Sequence, residues 1–462
     1  MADTDIAIVG GGPGGYVAAL RAAQLGMRVV LIERDRVGGL CLNWGCIPSK
    51  ALLWNAEVVN LVREAEAWGI HLDNLRLDVG KAVDRSRKVV DRMVTGVEFL
   101  LKKRGVRLVQ GSARMTGPTS VAVDAVGEEI RADSVIIATG ARPRSLPGID
   151  VDGETVITSR EALALRETPR RAVIVGGGPI GCEFAYYWRA YGAEVTILEM
   201  LDHLLPLEDA DVSGQVERAF KKQQIGFRTG ARVTGIERGS GGAVVRFSAG
   251  GKEEALPADT VLMGIGFQPN TEDLGLEAAG VETDRSWIKV DHELRTTAPG
   301  AYAIGDVTGR LMLAHVASAM GAYVVERLAG LEPPPLEYEK MPRATYCQPQ
   351  VGSVGLTEAQ ARERGHDVKV GRFPFRANGK AVALEQVDGM VKVVADGRTG
   401  ELLGLHLVGP DATELLAEAT LSLALESTPR ELGWLVHAHP TLSEAVKEAA
   451  LSVEGAAIHF ID

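Results

Sequence analysis

Cysteine is scarce, with four in 462 residues. That is too few to staple a chain of this length as a disulfide framework. Long apolar runs are missing too: no uninterrupted stretch approaches the roughly 18 residues that a membrane span needs. The opening residues Met1-Ala-Asp-Thr-Asp5 carry acid where a secretory signal would carry base. A soluble, cytoplasmic protein is expected. Positive charge is in deficit, with 50 Lys and Arg against 61 Asp and Glu and a formal net charge of −11. Such a chain is poorly suited to neutralise nucleic-acid phosphates or to lie on an anionic membrane, so neither partner is expected.

Glycine is what the chain has in excess. Its 54 glycines come to about 12%, against about 7% in average proteins, and predict many close backbone approaches of the kind nucleotide-binding loops require. Hydrophobic residues at 46% and charged ones at 24% are ordinary for a globular protein. The length suggests about three domains of roughly 150 residues.

The order of elements is informative. An apolar run from Ile6 to Val9, a glycine loop, a helical pattern from Tyr16 to Leu25 and a second apolar run from Val29 to Ile32 make a βαβ unit. Helical patterns from Pro48 to Ala67 and from Val83 to Lys103 follow. The opening design then restarts with Ala172 to Val175, a loop at Gly176 to Gly181, a helix to Tyr191 and Val195 to Leu198. Pro and Gly cluster at Arg142 to Gly148, a crossing between modules, and the run Gly330-Leu-Glu-Pro-Pro-Pro335 reads as a linker. The last module combines strand patterns (Val391 to Ala395, Leu402 to Val408) with helical ones (Thr413 to Glu426, Leu442 to Val453). The expected fold is α/β, with two Rossmann-like dinucleotide-binding domains and a C-terminal α+β domain.

Gly10, Gly12 and Gly15 satisfy G-x-G-x-x-G between a strand and a helix, with Glu33 ending the next strand; Gly176, Gly178, Gly181 and Glu199 repeat the pattern. Glycines permit the tight turn and close approach, the helix N-terminus offers N–H groups to a pyrophosphate, and the acid accepts from a ribose hydroxyl. The interval from first glycine to acid is the same in both copies, 33 − 10 = 199 − 176 = 23. Glu199 would repel a 2′-phosphate, and Met200-Leu-Asp-His203 brings no Arg to bind one, so the second site favours NAD over NADP. The first is then best filled by FAD.

Cys41-Leu-Asn-Trp-Gly-Cys46 precedes a helix that Pro48 suits. The helix N-terminus and Lys50 favour a thiolate at Cys46, the reactive form in disulfide exchange. Redox chemistry is the preferred reading. The competing ones are a zinc half-site, for which no second Cys or His pair stands at ligand spacing, and two inert buried thiols. Cys182 and Cys347 read as buried small hydrophobes. In His437-Ala-His439-Pro-Thr-Leu-Ser-Glu444, a His oriented by a carboxylate is suited to deprotonating a thiol near neutral pH; a metal-ligand pair or a polar helix entry would also fit this segment.

Gly38-Gly-Leu-Cys-Leu-Asn-Trp-Gly-Cys-Ile-Pro-Ser-Lys50, the two fingerprints, Ala303-Ile-Gly-Asp306 and His437 to Glu444 together resemble the dihydrolipoamide dehydrogenase family of flavin- and NAD-dependent disulfide oxidoreductases, over essentially the whole chain. The resemblance implies that Cys41 exchanges with dihydrolipoamide and Cys46 stacks on FAD, with Lys50 beside the ring and paired with Glu183. It also implies FAD contacts from Pro13, Gly14, Gly39, Gly111, Thr139, Gly140, Asp306 and Ala314, and NAD contacts from Val233 and Gly266. His439 and Glu444 match the family's base and its orienting carboxylate, which reach the partner's cysteines, so a homodimer is implied. The implied partner is the lipoyl domain of an acyltransferase of a 2-oxo acid dehydrogenase complex, or a lipoyl carrier protein. The implied division is FAD domain 1–146, NAD domain 147–268, a central segment 269–336 and an interface domain 337–462. Trp44 stands where the family commonly has a small aliphatic residue, and Phe267 replaces a common Arg. An NADP-linked reductase of glutathione or another small disulfide is the rival that Glu199 argues against. An assembly protein holding FAD as a prop is argued against by the complete set of Cys41, Cys46, His439 and Glu444.

Overall fold

The computed structural model describes residues 3–124, 127–239 and 241–461; Met1, Ala2, Ala125, Val126, Ser240 and Asp462 lie outside the described residues. The chain forms two compact units, one of Met1–Leu52, Gly80–Arg144 and Gly266–Leu336, the other of Leu53–Val79, Ser145–Ile265 and Glu337–Asp462.

The first unit is built on strand Thr4–Val9, which runs parallel to Val29–Glu33 on one side and to Glu128–Ile137 on the other. Arg107–Gln110 extends the sheet beyond Val29–Glu33, and Ala301–Ala303 joins the second half of Glu128–Ile137, both in parallel. The first half of that long strand turns antiparallel, pairing Ser120–Val123, which pairs Ala113–Gly117. Thr4–Val9 and Val29–Glu33 are buried along nearly their whole length, which is why Ile6 to Val9 and Val29 to Ile32 are apolar without alternation. Helix Pro13–Gln24 packs on helix Ala314–Leu328 at very short range: a Cβ on Gly321 would lie 2.5 Å from the Gly14 carbonyl oxygen. The two glycines therefore let distant parts of the chain share one layer.

In the second unit five parallel strands follow the order Gly226–Arg228, Glu194–Leu198, Arg171–Val175, Thr260–Met263, Val156–Ile157. An antiparallel ribbon of Ala231–Gly239, Gly242–Ala249 and Lys252–Ala258 accompanies them and shares their core through Val245, Phe247 and Val261. The same unit holds a five-stranded antiparallel sheet, Arg343–Thr345, Gln350–Gly355, Leu402–Gly409, Met390–Asp396, Val368–Pro374, covered by helices Ala412–Ala424 and Glu444–Ser452. Residues 331–337, at and beyond the proline run, carry no regular structure. Among the described residues no helix is long and apolar enough to cross a membrane.

Two helices differ from the periodicity at their ends. The helix expected from Pro48 begins at Cys46 and ends at Arg63 rather than Ala67. There the chain tightens into the 3-10 turn Ala65–Trp68, closed by Gly69 at φ 72°. The long helix begins at Val79, four residues before the expected Val83.

Candidate active site

The first glycine turn is tight. Gly10 takes φ 105°, and a Cβ on Gly15 would collide with the Gly10 carbonyl oxygen. A Cβ on Gly12 would meet nothing nearer than 3.9 Å, so the turn leaves room on the side where a phosphate would sit. Glu33 caps it, accepting from Gly11 N–H at 2.7 Å and from Asp35 N–H at 2.8 Å. The second turn repeats these devices: Gly176 at φ 107°, Gly178 open, and Glu199 accepting from Gly177 N–H at 2.5 Å and Leu201 N–H at 2.8 Å. Both turns are thus tight glycine turns at a helix start, a geometry that suits the phosphates of a dinucleotide.

The redox segment is docked on the first turn. Gly38 N–H donates to Gly11 O at 2.8 Å, and a Cβ on Gly39 would lie 2.7 Å from Gly12 Cα. Helix Gly39–Trp44 carries Cys41, Gly45 breaks it, and Cys46 opens helix Cys46–Arg63. Asn43 binds the segment down by donating to the carbonyls of Val37 and Gly39 at 3.1 and 3.0 Å. Cys41 and Cys46 are half-buried. The Cys41 thiol is pushed up by its hydrogen bond with Cys46, by burial and by the charge of Cys46, while Lys50 pulls the other way. Lys50 thus acts electrostatically on Cys41.

Other FAD-site candidates fall in the same unit. Thr139 Oγ1 donates to Asn270 O at 2.8 Å, Asn270 N–H to Gly140 O at 3.0 Å, and Gly111 N–H to Glu33 O at 2.9 Å. Ala314 begins helix Ala314–Leu328. Asp306 lies in the turn Gly305–Thr308, where burial pushes its carboxyl up to about 6. A desolvated carboxylate fits the hydroxyls of a polyol such as the ribityl chain of FAD.

In the second unit, His439 Nδ1 lies 2.9 Å from Glu444 Oε1, and Glu444 Oε2 accepts from Thr441 N–H at 2.9 Å. Burial raises the Glu444 carboxyl, but the Thr441 N–H and the imidazole outweigh it and hold it below its ordinary value. The His439 side chain is 77% exposed, so its Nε2 is presented outward by a carboxylate anchored at a helix start. His437 is engaged elsewhere, with Nε2 2.8 Å from Glu418 Oε1, which raises its basicity. Glu183 accepts from Tyr346 N–H at 3.0 Å. Val233 stands on the antiparallel ribbon, half-buried against the core of that unit, and Gly266, at φ 100°, belongs to the first unit and not to that of the second glycine turn.

Sequence reasoning missed two residues beside the redox pair. Tyr16, one turn into helix Pro13–Gln24, has its hydroxyl pushed up by burial and by the neighbouring Cys41 and Cys46. Arg87 lies 4.6 Å from the centre of the Trp44 ring and donates to Asn43 O at 2.8 Å. It gives the bulky Trp44 a cation to stack on. Cys182 and Cys347 are buried as expected, but they also act on each other electrostatically, which their separation in sequence hid. Among the described residues no group of three or more His, Cys, Asp and Glu side chains could hold a metal ion.

Residues 4–321 match the family model for pyridine nucleotide-disulphide oxidoreductases, and residues 341–450 match the dimerisation domain of that family. The chain belongs to this family. Dihydrolipoyl dehydrogenases of Bacillus subtilis and of Mycobacterium tuberculosis are 44% and 46% identical to it, over 99% and 100% of both chains. Among solved structures, LpdA of Mycobacterium tuberculosis superposes with a TM-score of 0.90 at 30% identity, covering 97% of this chain and 99% of that one. The flavoprotein disulfide reductase RclA of Escherichia coli follows at 0.85 and 28%, covering 96% and 99%. Within the family the chain falls with the dihydrolipoyl dehydrogenases, oxidoreductases that use FAD and NAD, and its C-terminal module is that of a homodimer.

Proposed function

We propose that the chain oxidises protein-bound dihydrolipoamide at the Cys41–Cys46 pair. His439 of one protomer takes a proton from a substrate thiol, and the thiolate attacks the Cys41 sulfur of the Cys41–Cys46 disulfide of the other protomer. That S–S bond breaks, and its electrons leave on Cys46. The second substrate thiol then closes the lipoamide disulfide and releases Cys41 as a thiol, so substrate is oxidised and the pair reduced by the same two electrons. Glu444 holds the imidazole with Nε2 outward, where it can take the proton. Gly10 to Gly15, Glu33, Gly39, Lys50, Gly111, Thr139, Gly140, Asp306 and Ala314 would hold FAD, and Gly176 to Gly181 and Glu199 would hold NAD. Those cofactors supply two-electron acceptance and hydride transfer when bound.

The observation that carries this reading is the seating of the redox helix on the first glycine turn, Gly38 on Gly11 and Gly39 against Gly12. It puts the thiol pair and a dinucleotide cradle in one rigid piece of chain. The homodimer's partner is a lipoyl domain of an acyltransferase component of a 2-oxo acid dehydrogenase complex, or a lipoyl carrier protein, in the cytoplasm. The test of the acceptor is the initial rate with dihydrolipoamide and either NAD or NADP. The carboxylate of Glu199 should favour NAD by roughly a hundredfold or more in kcat/KM, since like charges brought together at a site cost several kcal/mol. Equal rates would hand the site to the NADP-linked disulfide reductases.

A further inference from the structure

The second unit contains a buried ion cluster that the thiol chemistry leaves unused. Lys392, on strand Met390–Asp396, is only 3% exposed. Its Nζ lies 2.7 Å from Asp209 Oδ1, 2.7 Å from Asp211 Oδ2 and 2.9 Å from Glu358 Oε2. Arg372, opposite Lys392 on the next strand, adds contacts of 2.7 Å to Asp211 and 3.2 Å to Glu358. Three carboxylates from two elements of the unit are thus gathered around cations carried by the C-terminal antiparallel sheet.

Two of those carboxylates lead to the second glycine turn. Asp209 caps helix Ala210–Lys222, accepting from Asp211 N–H at 3.0 Å, and is also the last residue of the loop that follows Glu199. That loop is fastened to the turn. Leu205 N–H donates to Gly177 O at 2.8 Å, Leu204 N–H to Glu217 Oε1 at 3.0 Å, and Leu204 packs so closely that a Cβ on Gly177 would lie 2.7 Å from its Cδ2. Leu205 adopts φ 51° with its side chain buried. Left-handed backbone is disfavoured for a leucine, so such a conformation persists only where its surroundings over-determine it.

We propose that Lys392 is a positioning residue for the nicotinamide-dinucleotide site, clamping the loop of residues 200–209 through Asp209 so that Leu204 and Leu205 brace the Gly176–Gly181 turn. This rests on the reading that this turn takes NAD. Removing the Lys392 cation leaves the buried Asp209 carboxylate without its counter-charge, while Arg372 still holds Asp211 and Glu358; Asp209 shifts, and the brace behind Gly177 loosens. The C-terminal sheet, part of the dimerisation domain, thereby sets cofactor affinity at a turn built from another part of the chain.

The test uses the FAD-loaded dimer of Lys392→Met and of Arg372→Met, the latter cutting the same cluster at its half-exposed member and carrying the test alone if the former yields no dimer. NADH binding is read by the change in its fluorescence, and backbone hydrogen exchange is read over residues 200–209. The expected result is roughly tenfold weaker NADH binding, within the range of ordinary site-to-site coupling, with faster exchange in the loop and an unchanged KM for dihydrolipoamide. Unchanged NADH binding in every variant that forms a dimer overturns the proposal, as does weakening that follows a general rise in exchange throughout the unit. Glu199→Gln is the control: if it leaves NADH binding unaltered, the assignment of the turn to NAD has failed. If it weakens binding while the cluster variants do not, the clamp alone is wrong.

Discussion

At the scale of single residues, side chains are tuned by burial and by one or two neighbours. Asp306 is the plainest case, since loss of water alone carries its carboxyl to about 6, from an ordinary 3.8. With the folded value raised, the folded apoprotein keeps a proton that the unfolded chain has lost between about pH 4 and 6. Its stability therefore falls as pH rises through that window. Holding the buried carboxylate ionised above pH 6 costs the fold on the order of 2–3 kcal/mol. Asp306→Asn should accordingly raise the apoprotein Tm at pH 7 while changing it little at pH 4, and should weaken FAD retention. Equal Tm shifts at both pH values would mean that the carboxylate is not desolvated as described. Residues of this kind were unevenly legible. Glu444 stands five positions from the His439 it orients and could be read locally. Asp306, by contrast, had only a glycine before it as a local signal, and its burial comes from segments far off in the chain. Tyr16 and Arg87 escaped for the same reason: nothing in a glycine-rich helix start or in a run of surface arginines marks the one side chain that lies against the redox segment.

Elements are governed by close backbone approach. The repeated strand, glycine turn, helix, strand and acid could be read from sequence because each copy is confined to about 25 residues and obeys local steric rules. The packing of helix Pro13–Gln24 on helix Ala314–Leu328 could not, because Gly321 meets Gly14 across some three hundred residues. Gly321→Ala places a methyl 2.5 Å from a backbone oxygen that cannot swing aside. It should cost about 1–3 kcal/mol, as overpacking of a close contact does, and should release FAD more readily by shifting the helix that carries the first turn. Urea unfolding of the FAD-loaded protein measures the first effect and gel filtration of the flavin the second. An unchanged midpoint would show that the helices can part without loss.

At the scale of the whole molecule, the proposed mechanism assigns the proton acceptor and the thiol pair to different protomers. The exposed His439 and the Glu444 that anchors it form a complete pair within one chain. Co-expressing Cys46→Ser with His439→Gln tests the arrangement, because each homodimer is inactive. If His439 acts across the two-fold axis, a mixed dimer has one intact site, and random mixing should restore about a quarter of wild-type turnover. Restoration to no more than background would place base and thiols on the same chain.

The most direct measurement of the proposed thiol–flavin–NAD relay is the visible spectrum of the purified protein during anaerobic titration with dihydrolipoamide, followed by NAD. The relay predicts a long-wavelength thiolate–flavin absorption that grows to one substrate equivalent per protomer, is absent in Cys46→Ser, and is discharged by NAD. A spectrum indifferent to dihydrolipoamide but bleached by NADPH would contradict it.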